Sequence, residues 1–588
     1  MGEFVLIDPL GVSHSYNASK VGFAPVSGSE KVVFAEGGSG GENYFASYLR
    51  KELTEYEDST VTSLFTNAIV DQPNLKSLSF PNLLSITYYA IESAPALTDV
   101  YFPEVRYIGT NGLHFVPLSS GTVFPKCSYV GSSALSGGFA QDGIKYVGDI
   151  AYSTTGNWSS SACQMLPSTR VIGEYCFYNK SISGIQGVES VQYINDAAFL
   201  SVKLLTEASF PNCKGVLASG GFARGAFASC LSLRSAYFPE CSQIGGSAFA
   251  GCTSLQSVYF PKCTSIGSYA FQSCKSLSNA TFSHLIDVGA NAFAGCYALE
   301  SEGGLYYAGD WAVLRSTVIP GTAALREGTY GLAYGLFSGA SSLSAVTNTD
   351  GVHVIKDYAF CLASRFQGIS APECEKIGIA AFSMNSYTSM SFAYLPKVRE
   401  IPERAFYRCS ALSILTADFG NMTSIGYAAF TSCFSLSRPL SLPQCTYIGD
   451  SAFAYCNITK VYAPLCNTNI NNTFLRCANL SEAYLPAVKG LDGSAFGACP
   501  KLRRVYLSAC SNIYSYALSE TYSLSSLYLA GSSVCVIASN LSSAYWPKSV
   551  YVLDSMYDEY VTHSLWASMS SRLVSLTTEQ MEEIAATF

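Results

Sequence analysis

Apolar and polar positions follow a frame that repeats along most of the chain. In residues 252–277, CTSLQSVYFPKCTSIGSYAFQSCKSL, the apolar positions are Leu255, Val258, Phe260, Cys263 and Ile266. The pair Ala270–Phe271 follows, then Cys274 and Leu277. Val258 and Phe260 flank one solvent-side position, Tyr259, which is the period-two alternation of a short half-buried strand. Pro261 comes next and lacks the N–H that a ladder needs, so the strand ends there. The frame returns at a step of 22 residues at Phe80, Phe102 and Phe124, and again at Phe238, Phe260 and Phe282. The phenylalanine of the second pair keeps that step at Phe249, Phe271 and Phe293. It recurs at Phe360, Phe382, Phe406, Phe430, Phe453, Phe474 and Phe496, at intervals of 21 to 24. Such a period predicts stacked coils, each burying its apolar positions only against its neighbours.

The 21 cysteines keep the same time. Nine follow an aromatic by three positions: Cys230, Cys252, Cys274, Cys296, Cys409, Cys433, Cys456, Cys477 and Cys499. Eight follow a Pro-x-Cys pattern or a close variant: Cys127, Cys213, Cys241, Cys263, Cys374, Cys445, Cys466 and Cys510. An odd total cannot pair completely within the chain. A zinc site wants clustered ligands, and no C-x-x-C occurs, while the five histidines lie far apart. No metal site and no cofactor are expected. In stacked parallel strands about 4.8 Å apart, side chains of one column point the same way, which suits a disulfide poorly. Reduced, buried thiols that fill space are the expectation.

The strings FPKCTSIGSYAFQSCKSL and FPECSQIGGSAFAGCTSL, with IGYAAFTSCFSL and IGDSAFAYC, resemble the BspA-type leucine-rich repeat of bacterial and some protist surface proteins. The resemblance covers about residues 73–530. It implies a repeat solenoid: a right-handed coil with one parallel β-sheet face, and a wall of short turns, 3-10 or helical segments. Two off-period blocks, about 136–190 and 297–350, resemble each other through YVGDIAYS and YYAGDWAVL and are expected to be coils with a divergent wall. Residues 531–588 resemble the closing cap of such chains, with amphipathic helices, Tyr557, Tyr560 and Trp566 covering the last coil. A second helix is expected from Thr577, where TTEQ can form a capping box with Gln580. Residues 1–72 fit the frame poorly and read as an N-terminal cap or docking segment, with a helical run at YLRKELTEYED.

The solvent-side slot of the strand holds Tyr101, Tyr237, Tyr259, Tyr394, Tyr462, Tyr484, Tyr506 and Tyr528. The last four are 22 residues apart and are expected to form a straight file on the sheet face. Tyrosine has high strand propensity, so stacking alone would account for the file. An exposed aromatic row on a rigid sheet is also a recognition surface, and these eight residues are the candidate ligand-binding set.

Composition narrows the function. Of the 588 residues only 13% are charged, the net charge is −8, and Lys and Arg are scattered, so no nucleic-acid footprint is expected. No stretch has the length and apolarity of a membrane-spanning helix. The start, MGEFVLIDPLGVSH, shows no basic n-region or small-residue cleavage site, so no secretory signal is expected there. No local signature of a catalytic set is present, and buried thiols are poor nucleophiles, so the expectation is no enzyme. The family resemblance implies a non-enzymatic, adhesin-like protein, extracellular or on the cell surface, whose partner is a host-surface protein or glycan. Alternative readings are a phage or prophage tail protein for host recognition, located in the virion tail, and a purely structural spacer.

Overall fold

In the computed structural model, the described residues are 53–156, 158, 161–217, 224–383, 390–514, 516–537 and 546–588, together with the strands Glu3–Ile7, Ser13–Asn17 and Tyr44–Phe45. The chain divides into two units, Met1–Glu300 and Ser301–Phe588, and each is a parallel β-solenoid of the leucine-rich-repeat kind.

One coil shows how the sequence builds it. Ser257–Tyr259 is a three-residue strand paired in parallel with Ser235–Tyr237 on one side and Asn279–Thr281 on the other. Val258 turns inward and Tyr259 outward. After Pro261 the chain bends. Ser265–Ile266 then forms a second, two-residue ladder with Gln243–Ile244 and Asp287–Val288. The wall that follows is made of turns, with Tyr269 and Ser273 at φ 61°. Left-handed backbone costs a non-glycine residue roughly 1 kcal/mol or more. Here it turns wall amides toward the next coil: Phe249 N–H donates to Ala270 O and Gly251 N–H to Gln272 O, both at 2.7 Å. Gly267 is fixed by close approach, because a Cβ there would lie 2.4 Å from Gly246 N.

Identical positions stack, so the core consists of columns. The wall rings Phe227, Phe249 and Phe271 lie 5.2 and 5.3 Å apart, tilted by 2°. The strand rings Phe238 and Phe260 lie 5.0 Å apart, and Phe249 meets Phe260 edge-on at 5.9 Å.

All 21 cysteines are free and buried. The two sequence columns are two hydrogen-bonding roles. In the aromatic-spaced column, each Sγ donates to the carbonyl of the wall phenylalanine one coil back: Cys252 to Phe227 at 3.1 Å, Cys274 to Phe249 at 3.2 Å, Cys477 to Phe453 at 3.2 Å. In the Pro-x-Cys column the Sγ donates to the carbonyl two residues on, as Cys263 does to Ser265 at 3.2 Å and Cys445 to Tyr447 at 3.1 Å, except at Cys466, which meets the Thr468 hydroxyl. Burial pushes the Cys263, Cys445 and Cys499 thiols up to about 12.

The two off-period blocks differ from the expectation of coils with a divergent wall. Each opens with an antiparallel hairpin, and the rest of the block runs in the parallel ladders. Ile144–Val147 pairs with Ile150–Thr154, and Leu305–Ala308 with Trp311–Arg315, both with a register shift before the buried tyrosine. The second strand of each hairpin then joins the parallel ladder, Ile150 to Val171 and Trp311 to Gly331. Tyr146 and Tyr307 do the same work: their hydroxyls accept the N–H of Leu166 (3.2 Å) and Arg326 (2.9 Å). Antiparallel pairing needs only a tight turn, which the adjoining Gly-Asp supplies at Gly148 and Gly309, both at φ 57°.

At the N-terminal side, Tyr44–Phe45, Glu55–Glu57, Ser63–Leu64 and Ile69–Val70 already belong to solenoid ladders, so coils begin before residue 73. The run expected to be helical is a strand at Glu55–Glu57, where Tyr56 sets its ring against Phe80; its residues 48–52 lie outside the described residues. At the other end, helix α1, Tyr557–Thr562, and the turns after it close the last coil. Trp566 Nε1 donates to Cys535 O at 2.8 Å, and the Tyr560 hydroxyl accepts from Cys535 N–H at 2.9 Å. Helix α2, Thr578–Ala585, starts with the Thr577–Gln580 capping box.

Three outcomes are expected. Thiol reagents at neutral pH leave all 21 cysteines untouched until denaturant is added, when all react. Stability falls as pH rises from 9 toward 12, because unfolded thiols ionise near their ordinary 9 while Cys263 and its like hold their protons to about 12. Tyr307→Phe leaves the Arg326 amide without its acceptor, lowering stability by about 1–3 kcal/mol in urea titration and speeding exchange of that amide.

Candidate functional site

The eight sequence-selected tyrosines all lie on the sheet-face strands, but they do not share one environment. In the N-terminal unit, Tyr101 ends the strand Asp99–Tyr101 and is 59% exposed; Tyr237 and Tyr259 are 42% and 40% exposed. Tyr237 and Tyr259 are register partners whose rings stack at 5.1 Å and 8°. Tyr101 lines a cleft of about 580 Å³ with Asp99, Ser119, Gly121, Thr122 and Val123. The cleft exists because Asp99–Tyr101 is an edge: Gly121–Val123, one repeat later, forms no strand against it.

In the C-terminal unit, Tyr394 stands alone, with Ser370 and Thr416 as its register partners. The file expected from Tyr462 to Tyr528 is present and longer than expected. Tyr462, Tyr484, Tyr506, Tyr528 and Tyr551 are successive register partners. Their rings lie 5.1, 5.0, 6.1 and 4.7 Å apart. Tyr551 was hidden in the sequence because its interval is 23 and its strand, Ser549–Leu553, falls in the segment assigned to the cap.

The expectation that the whole file faces solvent is corrected. Tyr462 is open at 36% and Tyr484 half-buried, while Tyr506 and Tyr528 are only 6% and 7% exposed. Their cover is α2 and the residues after it: Met581, Ile584, Ala585 and Phe588 pack on the rings. Phe588 lies 5.6 Å from Tyr484, 5.9 Å from Tyr506 and 6.1 Å from Tyr528. The Arg504 guanidinium sits 4.0 Å over the Phe588 ring, and its Nη2 donates to Thr587 Oγ1 at 3.1 Å. Glu482 forms an ion pair with Lys460 at 2.7 Å beside the file. Burial pushes the Tyr506 phenol up to about 12, with Tyr484 and Glu582 adding to it, and burial raises Tyr484 as well.

Among the described residues, no group of three or more His, Cys, Asp or Glu is placed to hold a metal ion, and no helix is long and apolar enough to cross a membrane. The chemistry on offer is that of contact: flat rings, phenol hydroxyls and, beside Tyr101, a carboxylate and hydroxyls in a cleft.

None of the curated proteins matches the chain. Among solved structures it is similar to a leucine rich cell surface protein from Faecalibacterium prausnitzii A2-165, at 19% identity over 66% of this chain and 90% of that one, TM-score 0.26. It is also similar to a leucine-rich repeat protein from Bacteroides ovatus ATCC 8483, at 15% identity over 84% and 95%, TM-score 0.20. The pneumococcal vaccine antigen PcpA is similar at 14% identity over 75% and 97%, TM-score 0.28. The family model described as BspA type Leucine rich repeat region (6 copies) matches residues 41–142, 124–219, 220–301, 331–456 and 423–545. With its period, its ladders and its wall of turns, the chain belongs to the BspA-type leucine-rich-repeat family.

Proposed function

We propose that this is a non-enzymatic, adhesin-like binding protein that holds a host or surface ligand, protein or glycan, against its sheet face. The observation that carries the reading is the set of open tyrosines, above all the stacked pair Tyr237–Tyr259. Each of these rings is fixed by its own strand and by the ring beside it, so little side-chain freedom is lost when a partner settles on it. A stacked pair presents a flat apolar area with two hydroxyls at its margin, which suits a sugar ring or an apolar protein anchor. Tyr101 at the rim of its cleft, with Asp99 and Thr122, adds directional polar groups to a ring. Tyr394 and Tyr462 extend the candidate set in the C-terminal unit; Tyr484 is half-buried, and Tyr506 and Tyr528 are the covered members of it.

Membership of a family found on bacterial and protist surfaces supports an extracellular or cell-surface placement. The solenoid supports a role in presenting a surface, since its columns leave the interior no room for a reacting site.

The test is retention of the full chain on intact mammalian cells and on an immobilised glycan panel, comparing wild type with Tyr237→Ser/Tyr259→Ser. A central aromatic anchor is worth about 2 kcal/mol, so the double variant is expected to bind at least about thirtyfold more weakly with an unchanged circular dichroism spectrum. Equal retention of the two proteins would remove these tyrosines from the site.

A further inference from the structure

We infer that the tyrosine file of the C-terminal unit is a docking site for an amphipathic helix with apolar anchors at i, i+3, i+4 and i+7, and that α2 is its resident occupant, which a partner's helix displaces. The inference rests on the sheet-face reading above and names the partner class for one part of that face.

The solenoid does not need α2 to close its end. That is done by α1 and the segment after it, where Tyr560 and Trp566 are completely buried and hydrogen-bonded to Cys535. Helix α2 lies elsewhere, across the sheet face, and covers rings that the open end of the same file shows to be tolerable in water. It touches them through Met581, Ile584, Ala585 and Phe588. Those positions are i, i+3, i+4 and i+7, the spacing by which a helix lays one apolar face into a groove. Thr578, Glu579, Gln580, Glu582 and Glu583 form the exposed remainder. Arg504 completes the recognition by lying over Phe588 and holding Thr587.

The attachment is also slight. Helix α2 has eight residues, shorter than the roughly 12–15 at which isolated helices become even marginal, so its helicity depends on the platform. Of its own residues only Met581 is buried. A longer helix with the same anchors could begin on Tyr462 and the half-buried Tyr484, already accessible, and replace α2 along the rest of the file. Methionine and tyrosine at the contact are the adaptable and rigid halves of such an interface.

The experiment uses the full chain with Met581→Asp/Phe588→Ser to free the file, and Met581→Ser/Ile584→Ser as a milder second variant. The probe is a fluorescein-labelled peptide of residues 573–588. Burying one such side chain shifts binding by about tenfold or more. The peptide is therefore expected to bind either variant at least tenfold more tightly than wild type, and to lose that gain when Tyr506→Ser/Tyr528→Ser is added. The phenol missing from Tyr506→Phe, titrated by ultraviolet absorbance difference, should move from about 12 toward the ordinary 10 when the anchors are removed. Equal peptide binding to freed and wild-type chains, indifference to Tyr506 and Tyr528, or a Tyr506 phenol still titrating near 12 overturns the inference. A freed file that retains glycans and not the peptide overturns it too, while leaving the sheet-face reading intact. Failure of the Tyr237 and Tyr259 test, in the other unit, would remove that reading independently of the peptide result.

Discussion

The constraint on which everything else depends is backbone pairing between successive coils. Strands such as Ser257–Tyr259 and amides such as Phe249 N–H have no partner within their own coil and must find one in the next. That requirement sets adjacent coils about 4.8 Å apart and in register. Once it is met, each side chain faces its own counterpart, and the fold can use only residues that stack well on themselves. Phenylalanine does so at 5.0 to 5.3 Å, as Phe238 on Phe260 and Phe249 on Phe271 show. Charge does not, which gives a physical reason for so few charged residues; where charges occupy the outer slot they alternate in sign, as Lys262 on Glu240 and Lys126 on Glu104 do.

Cysteine fits the same logic. The position three residues after the wall phenylalanine is buried and faces a backbone carbonyl of the previous coil. A thiol fills the space, donates weakly, and suffers little from a second thiol above it. Asparagine would bond more strongly but would need its whole amide satisfied in a buried column. The raised thiols follow from that burial.

Legibility in the sequence follows the same division. Phe249, Cys252, Val258 and Tyr259 could be placed from sequence because each has a counterpart 22 residues away whose environment must be the same. The cap around Tyr560 and Trp566 was legible through the resemblance of its segment to the closing cap of the family, and the Thr577 capping box through local chemistry. What stayed hidden has no repeat to betray it. The hairpins at 144–154 and 305–315 are antiparallel, and alternation alone does not tell an antiparallel strand from a parallel one. The seat of α2 is a long-range contact between a segment that occurs once and a column, and no spacing along the chain encodes it. Tyr506 and Tyr462 therefore looked alike, although one is buried and the other open.

These exceptions, more than the repeats, set one stretch of the sheet face apart from another. A perfectly repeating sheet face would present one surface many times over, with nothing to say where a ligand begins or ends. In the N-terminal unit, the missing strand at Gly121–Val123 turns Tyr101 from one member of a row into the rim of a cleft. In the C-terminal unit, Ser370 and Thr416 isolate Tyr394, while α2 divides a five-ring file into an open start and a covered remainder. The periodic part of the sequence supplies rigidity and area; the breaks supply boundaries, polarity and a covered stretch of the file. What sets one coil apart from the next arises where the repeat fails, because stacked counterparts within the repeat share one environment.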